Sequence, residues 1–104
     1  MLDVKLWLES TEMKVAEQCF KRPPALPYIT FLESNEVDGA DCKNCIQERN
    51  ISIELYSDKI NKVAEEKIER LLNEKSIKYK KNRVWIESEK FFQTVYDFYL
   101  LEKF

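Results

Sequence analysis

Apolar and polar positions alternate with different periods along this chain, and the changes of period mark its elements. Leu2 and Leu6 share one helical row, with Val4, Trp7 and Leu8 beside it, which predicts a short amphipathic helix over roughly residues 2–10. Residues 13–20 fit either period. Met13, Ala16 and Phe20 suit a helix, whereas Val15 and Cys19 suit a strand, and the strand is the preferred reading. Pro23, Pro24 and Pro27 then exclude helix and remove three backbone donors. YITFLES (28–34) is rich in β-branched and aromatic residues and predicts a strand. NEVDGADCKN (35–44) reads as a polar loop around Gly39.

In ISIELYS (51–57), Ile51, Ile53 and Leu55 face one way and Ser52, Glu54 and Tyr56 the other. That is a strand with one buried face, beginning as early as Cys45. Ser57 and Asp58 offer a helix cap, and Ile60, Val63, Ala64, Ile68, Leu71 and Leu72 form an apolar stripe. They predict a helix over roughly 58–75, with Glu65, Glu66, Glu69 and Arg70 on its polar side. SIKYKKNRVWIES (76–88) suggests a hairpin turning near Lys81 and Asn82. KFFQTVYDFYLLEK (90–103) is a long strand, apolar on both faces. Phe92, Tyr96, Phe98 and Leu100 lie on one face; Phe91, Val95, Tyr99 and Leu101 lie on the other. Such a strand is either internal to the sheet or meets another chain with its second face. The expected order is α-β-β-β-α-β-β-β: a single α+β domain over residues 1–104, with a mainly antiparallel sheet and two helices packed on it.

Composition narrows the function more than the fold. The 104 residues suit one core, and 44% apolar residues supply it. One glycine and three prolines argue against disorder. The 17 basic and 19 acidic residues leave a net charge of −2, without the basic excess of a duplex-binding domain. The charge is unevenly placed. Residues 1–57 hold 6 basic and 10 acidic groups, residues 58–83 hold 9 and 5, and residues 84–104 hold 2 and 4. Separated blocks of opposite sign suit a surface that pairs with a copy of itself. The N-terminus has no secretory signal pattern, and no run approaches the ~20 apolar residues of a membrane helix. Three cysteines in such a chain are expected to be free thiols in a reducing compartment.

Candidate chemistry is sparse. Cys42-x-x-Cys45 has the spacing of half a zinc site, but such a site takes four ligands, and the chain has no histidine and only Cys19 besides. The pair also lies in a loop running into a strand, where a thioredoxin-type pair would open a helix. No metal and no cofactor are expected. The commonest general base is missing, and one glycine excludes the phosphate-cradling loops, so the sequence predicts a non-enzyme. Lys75, Lys78, Lys80, Lys81 and Arg83, interleaved with Tyr79 and Trp85, have the makings of a single-strand nucleic-acid patch. The simpler reading is the solvated face of a hairpin, because Lys78 and Lys80 alternate with Ile77 and Tyr79.

Several stretches in order carry more than any of these motifs. PPALPYITFLES, the Gly39-Ala40-Asp41 loop, ISIELYSDK leading into AEEKIERLLNE, and WIESEKFFQTVYDF together resemble the tail-completion, or tail-terminator-like, proteins of phages and prophages of Gram-positive bacteria. The resemblance spans about residues 23–100. It implies a small α+β protomer with no catalytic motif that closes into a ring, a hexamer in this family, at the end of a tail tube. Its implied partners are its own copies, the tail-tube protein and the head–tail connector. Its implied place is the virion tail, after assembly in the host cytoplasm, with no membrane and no sequence-specific nucleic acid. Relatives tend to carry a plain polar residue at the position of Cys42, which argues against a metal role shared by the family. Candidate assembly residues are Gly39 and Asp41 in the loop and Lys78, Lys80 and Lys81 in the basic stretch. Two alternatives stay open. One is a head–tail connector or adaptor; the other is a small nucleic-acid-binding regulator that uses the basic hairpin.

Overall fold

The clean alternations of the sequence become long strands. The computed structural model describes residues 2–38 and 46–103. Its elements are α1 (Val4–Glu9), β1 (Lys14–Glu17), β2 (Tyr28–Asp38), β3 (Ile46–Ser57), α2 (Lys62–Glu74), β4 (Lys80–Ile86) and β5 (Phe91–Lys103). All the strands join one sheet in the order β1-β2-β3-β5-β4. β1 runs parallel to β2, and every other neighbouring pair is antiparallel. The fold is α+β, as the sequence predicts. The ambiguous 13–20 stretch contains a strand, also as preferred. β2 runs further into the expected 35–44 loop than the sequence suggested, to Asp38, while β3 begins at Ile46, in line with the early start near Cys45.

Both helices pack on the same face of the sheet. Val4 and Leu8 of α1, and Ala64, Ile68 and Leu72 of α2, bury against Ile29, Phe31, Ile51, Ile53, Leu55, Tyr96 and Phe98. Local chemistry sets where each helix begins and ends. Asp3 caps α1 by accepting from the Leu6 N–H at 3.2 Å. Asn61 caps α2 by accepting from the Ala64 N–H at 3.0 Å. The expected cap at Ser57 and Asp58 is not used, because Ser57 ends β3 opposite Phe92 and is buried there. Ile60 consequently lies outside the helix and is exposed. At the other end Ser76 takes a positive φ, while Ser76 N–H reaches the Asn73 carbonyl and Ile77 N–H the Leu72 carbonyl. That pair of bonds closes the last turn of α2.

The hairpin expected at Lys81 and Asn82 does not exist. Both residues lie inside β4, a single strand from Lys80 to Ile86, so among the described residues the sheet has five strands and not six. The turn falls at residues 87–90, where the Ile86 carbonyl accepts from the N–H groups of Glu89 and Lys90. The physical reason lies in α2. Lys81 and Arg83 point inward because a buried carboxylate, Glu65, awaits them. The inward side of β4 is therefore charged, and a run such as KKNR looks like a turn. Glu65 is likewise buried, although its helical spacing suggested a polar surface position.

Candidate functional site

The helices leave the opposite face of the sheet uncovered, and its two ends differ. At one end the chain covers itself. Tyr28 stacks between Phe20 and Tyr56 with ring centroids 5.3 and 5.1 Å away, and Tyr56 meets Phe91 at 5.0 Å. Glu54 accepts there from Thr30, Tyr56 and Gln93, so the polar groups of this end are satisfied internally.

The other end is bare. Leu32, Tyr99 and Leu101 are 44%, 59% and 64% exposed. The register lines up Leu32, Ser52, Asp97 and Lys80 across four strands, and Ser34, Asn50 and Tyr99 beside them. These rows floor a mostly apolar groove of about 700 Å³, flanked by Lys78 and Tyr79. Two strand edges are also open at this end. β4 stops where Lys80 meets Asp97, so no described residue pairs with the outer edge of β5 beyond that point. On the other side β1 stops where Glu17 meets Phe31, with Gln18 N–H donating to the Phe31 carbonyl at 2.8 Å. From Leu32 onward the outer edge of β2 has no partner among the described residues.

A buried arginine stiffens this three-stranded arm. Arg49 on β3 donates Nη2 and Nε to Glu33 of β2 at 2.6 and 3.1 Å, and Nη1 to Glu102 of β5 at 3.0 Å. Nη1 also reaches the Leu2 carbonyl at 2.8 Å, which ties down the N-terminal segment. The fork holds two carboxylates in a largely water-excluded place, where an arginine without them would be costly.

The second charged cluster fixes β4 to α2. The Glu65 carboxylate accepts from Arg83 Nε and Nη2 at 2.8 and 2.7 Å, from Lys81 at 2.9 Å and from Thr94 at 3.2 Å. The Arg83 guanidinium, seconded by Lys81 and opposed by burial, lowers the Glu65 pKa to about 2. Lys81 also bonds Glu69 at 2.8 Å, and Glu69 accepts from the Tyr96 hydroxyl at 2.8 Å. Burial and that carboxylate push the Tyr96 phenol far up.

The structure separates the basic candidates. Lys78 and Lys80 are exposed and line the groove. Lys81 points to the other face and is held by Glu65 and Glu69, so it is not the free surface cation the sequence suggested. Lys75 lies 6.0 Å above the Trp7 ring. The basic stretch thus forms no continuous stripe of the kind a nucleic-acid backbone would track. Gly39 and Asp41 lie outside the described residues, as do Cys42 and Cys45. Cys19 is an exposed free thiol. Among the described residues no group of carboxylates and cysteines is arranged to hold a metal, and no helix is long and apolar enough to cross a membrane. Leu32 and Asp97 were not among the sequence candidates. The signal was present for Tyr99 and Leu101, on the second apolar face of 90–103.

No protein-family model matches the chain, and no curated protein matches its sequence. Among solved structures the chain is similar to one described as the virion of a native gene transfer agent (GTA) particle. The TM-score is 0.60 at 10% identity, over 93% of this chain and 84% of that one. At that identity the likeness is one of fold.

Proposed function

We propose that this chain is a structural protein of a phage or phage-like virion, and that it acts at the tail. In this reading it is a tail terminator or tail-completion factor. Copies assemble head to tail into a ring, a hexamer by the resemblance noted in its sequence, which caps the tail tube and helps join tail to head. The observation that carries the proposal is the shared fold with a virion chain over 93% of the residues. The bare end of the sheet supports it. A protein that works by assembly needs apolar surface its own chain does not cover, and Leu32, Tyr99 and Leu101 provide it. Ring closure requires two different patches that fit each other. Lys78 and Lys80 on one side and the acidic first half of the chain on the other have the necessary opposite signs. Exposed ion pairs contribute only ~0–1 kcal/mol each, so charge orients the neighbour while apolar contact holds it. The 39–45 segment, with Gly39 and Asp41, is kept as a further candidate contact surface of the assembly.

The test is to make particles without this chain and measure their tails. A terminator predicts tails of uncontrolled length that fail to join heads. Normal-length tails that stay detached would favour the connector station. Normal, joined and infectious particles would remove the protein from virion assembly.

A further inference from the structure

Two open strand edges on one arm give the ring contact a definite form. We propose that copies join edge to edge, the outer edge of β2 in one copy (Leu32–Asp38) pairing in parallel with the outer edge of β5 in the next (Phe98–Lys103), so that the sheet continues from protomer to protomer. The second copy as occupant rests on the assembly reading above; the choice of edges comes from the geometry.

The two edges match in span. Leu32 is level with Asp97 through Ser52, and Asp38 is level with Lys103 through Ile46. Each edge presents a row of backbone donors and acceptors that an added strand would satisfy. The inward charges of this arm, Glu33 and Glu102, are neutralised by Arg49, and the β5 edge carries four apolar residues in succession, Phe98 to Leu101.

Direction and charge select the pairing. β2 and β5 are each antiparallel to β3 and therefore run the same way. A rotation about an axis along the strands keeps that direction, so β2 meets the neighbouring β5 in parallel, and both edges of every copy are used. Self-pairing of like edges by a two-fold axis would stop at a dimer. It would also set like charges together. The β2 segment reads ESNEVD over 33–38; Glu33 is already held by Arg49, which leaves two acids and no base, while Lys78 and Lys80 flank the β5 edge. The head-to-tail arrangement brings these opposite signs together. It also lays Leu32 on the same face as the neighbour's Tyr99, extending the apolar groove across the joint.

Neighbouring strands lie about 4.8 Å apart, within reach of a disulfide between facing residues. Ser34 and Tyr99 both lie exposed on the open face. In a chain with Cys19, Cys42 and Cys45 changed to serine, Ser34→Cys and Tyr99→Cys are made singly and together, with Ser34→Cys plus Leu101→Cys covering a register shifted by two. Mixing the single variants under mild oxidation should give a mixed dimer, while each variant alone stays uncross-linked. The double variant should give a ladder ending in one closed species. In the unmodified chain, amide hydrogens of 32–38 and 98–103 should exchange more slowly in the assembled form than in the monomer. An oligomer that forms without the mixed cross-link and without this protection overturns edge pairing and leaves the ring intact. Self-cross-linking of either single variant as readily as the mixture also overturns it. A chain that stays monomeric at every concentration, with or without tail-tube protein, refutes both readings.

Discussion

Replacing Glu65 with glutamine keeps the side chain's shape and removes its charge, which isolates what the cluster with Lys81 and Arg83 contributes. The Glu65 side chain is 4% exposed, and its pKa falls from 4.5 to about 2. Each unit is worth about 1.4 kcal/mol, so ionisation of Glu65 stabilises the fold by about 3 kcal/mol at neutral pH. Lys81 and Arg83 are 32% and 29% exposed, so in the variant they turn toward water and add little further penalty. The folded pKa lies below the unfolded one. The contribution is therefore complete above about pH 5 and is lost as pH falls through about 2. Urea denaturation of both chains at pH 7, 4 and 2 measures this directly. At pH 7, Glu65→Gln should be less stable by about 3 kcal/mol, a midpoint shift of about 1–3 M at ordinary m-values. At pH 2 the two chains should differ by less than about 1 kcal/mol, because the parent's Glu65 is about half protonated there and its ionisation adds little stability. Equal deficits at pH 7 and pH 2 would show that the loss is not ionic and would refute the reasoning.

Lys81→Glu sets a third carboxylate beside Glu65 and Glu69 and should cost about 3 kcal/mol or more, whereas Lys78→Glu with Lys80→Glu should leave the monomer's melting unchanged and weaken assembly. Circular dichroism melts and light scattering check the two halves of that statement. Phe98→Ala removes a ring buried on the helix face, 6.2 Å from the Trp7 ring, at a cost of about 3–5 kcal/mol. Against a net stability of about 5–15 kcal/mol that leaves a marginal fold, and a parental melting curve would contradict the packing described. Arg49→Ala strands Glu33 and Glu102 without their cation and should cost about 3 kcal/mol. A urea midpoint equal to the parent's would show that this fork does not hold the arm together.

Most of the fold was legible where one period governed one buried face. Ile51, Ile53 and Leu55 marked β3, and Ala64, Ile68 and Leu72 marked α2. What failed depended on partners distant in sequence. Ser57 and Asp58 had the chemistry of a helix start, but pairing with Phe92 kept Ser57 in the sheet. Arg49 is buried because Glu33 and Glu102 arrive from two other strands, which no local pattern around residue 49 announces. Of the basic candidates, Lys80 and Lys81 are adjacent in one strand and must face opposite ways. Treating 76–88 as a hairpin with its turn at Lys81 hid that consequence.

Charge on the inward side of β4 also sets a length. An outer strand held by apolar contact alone can slide by two residues and find nearly equivalent packing. β4 has no such freedom, because Glu65 offers its carboxylate at one place on α2. A one-residue slip would turn Lys81 and Arg83 outward and bring Lys80, Asn82 and Val84 beneath the helix, with no guanidinium to make the two-bond fork on Glu65. A two-residue slip would keep the faces but move both cations away from their bonds. The cluster works as a detent, and it fixes the beginning of β4 at Lys80, opposite Asp97. How much of β5 is left bare is therefore measured out by a helix on the far side of the sheet.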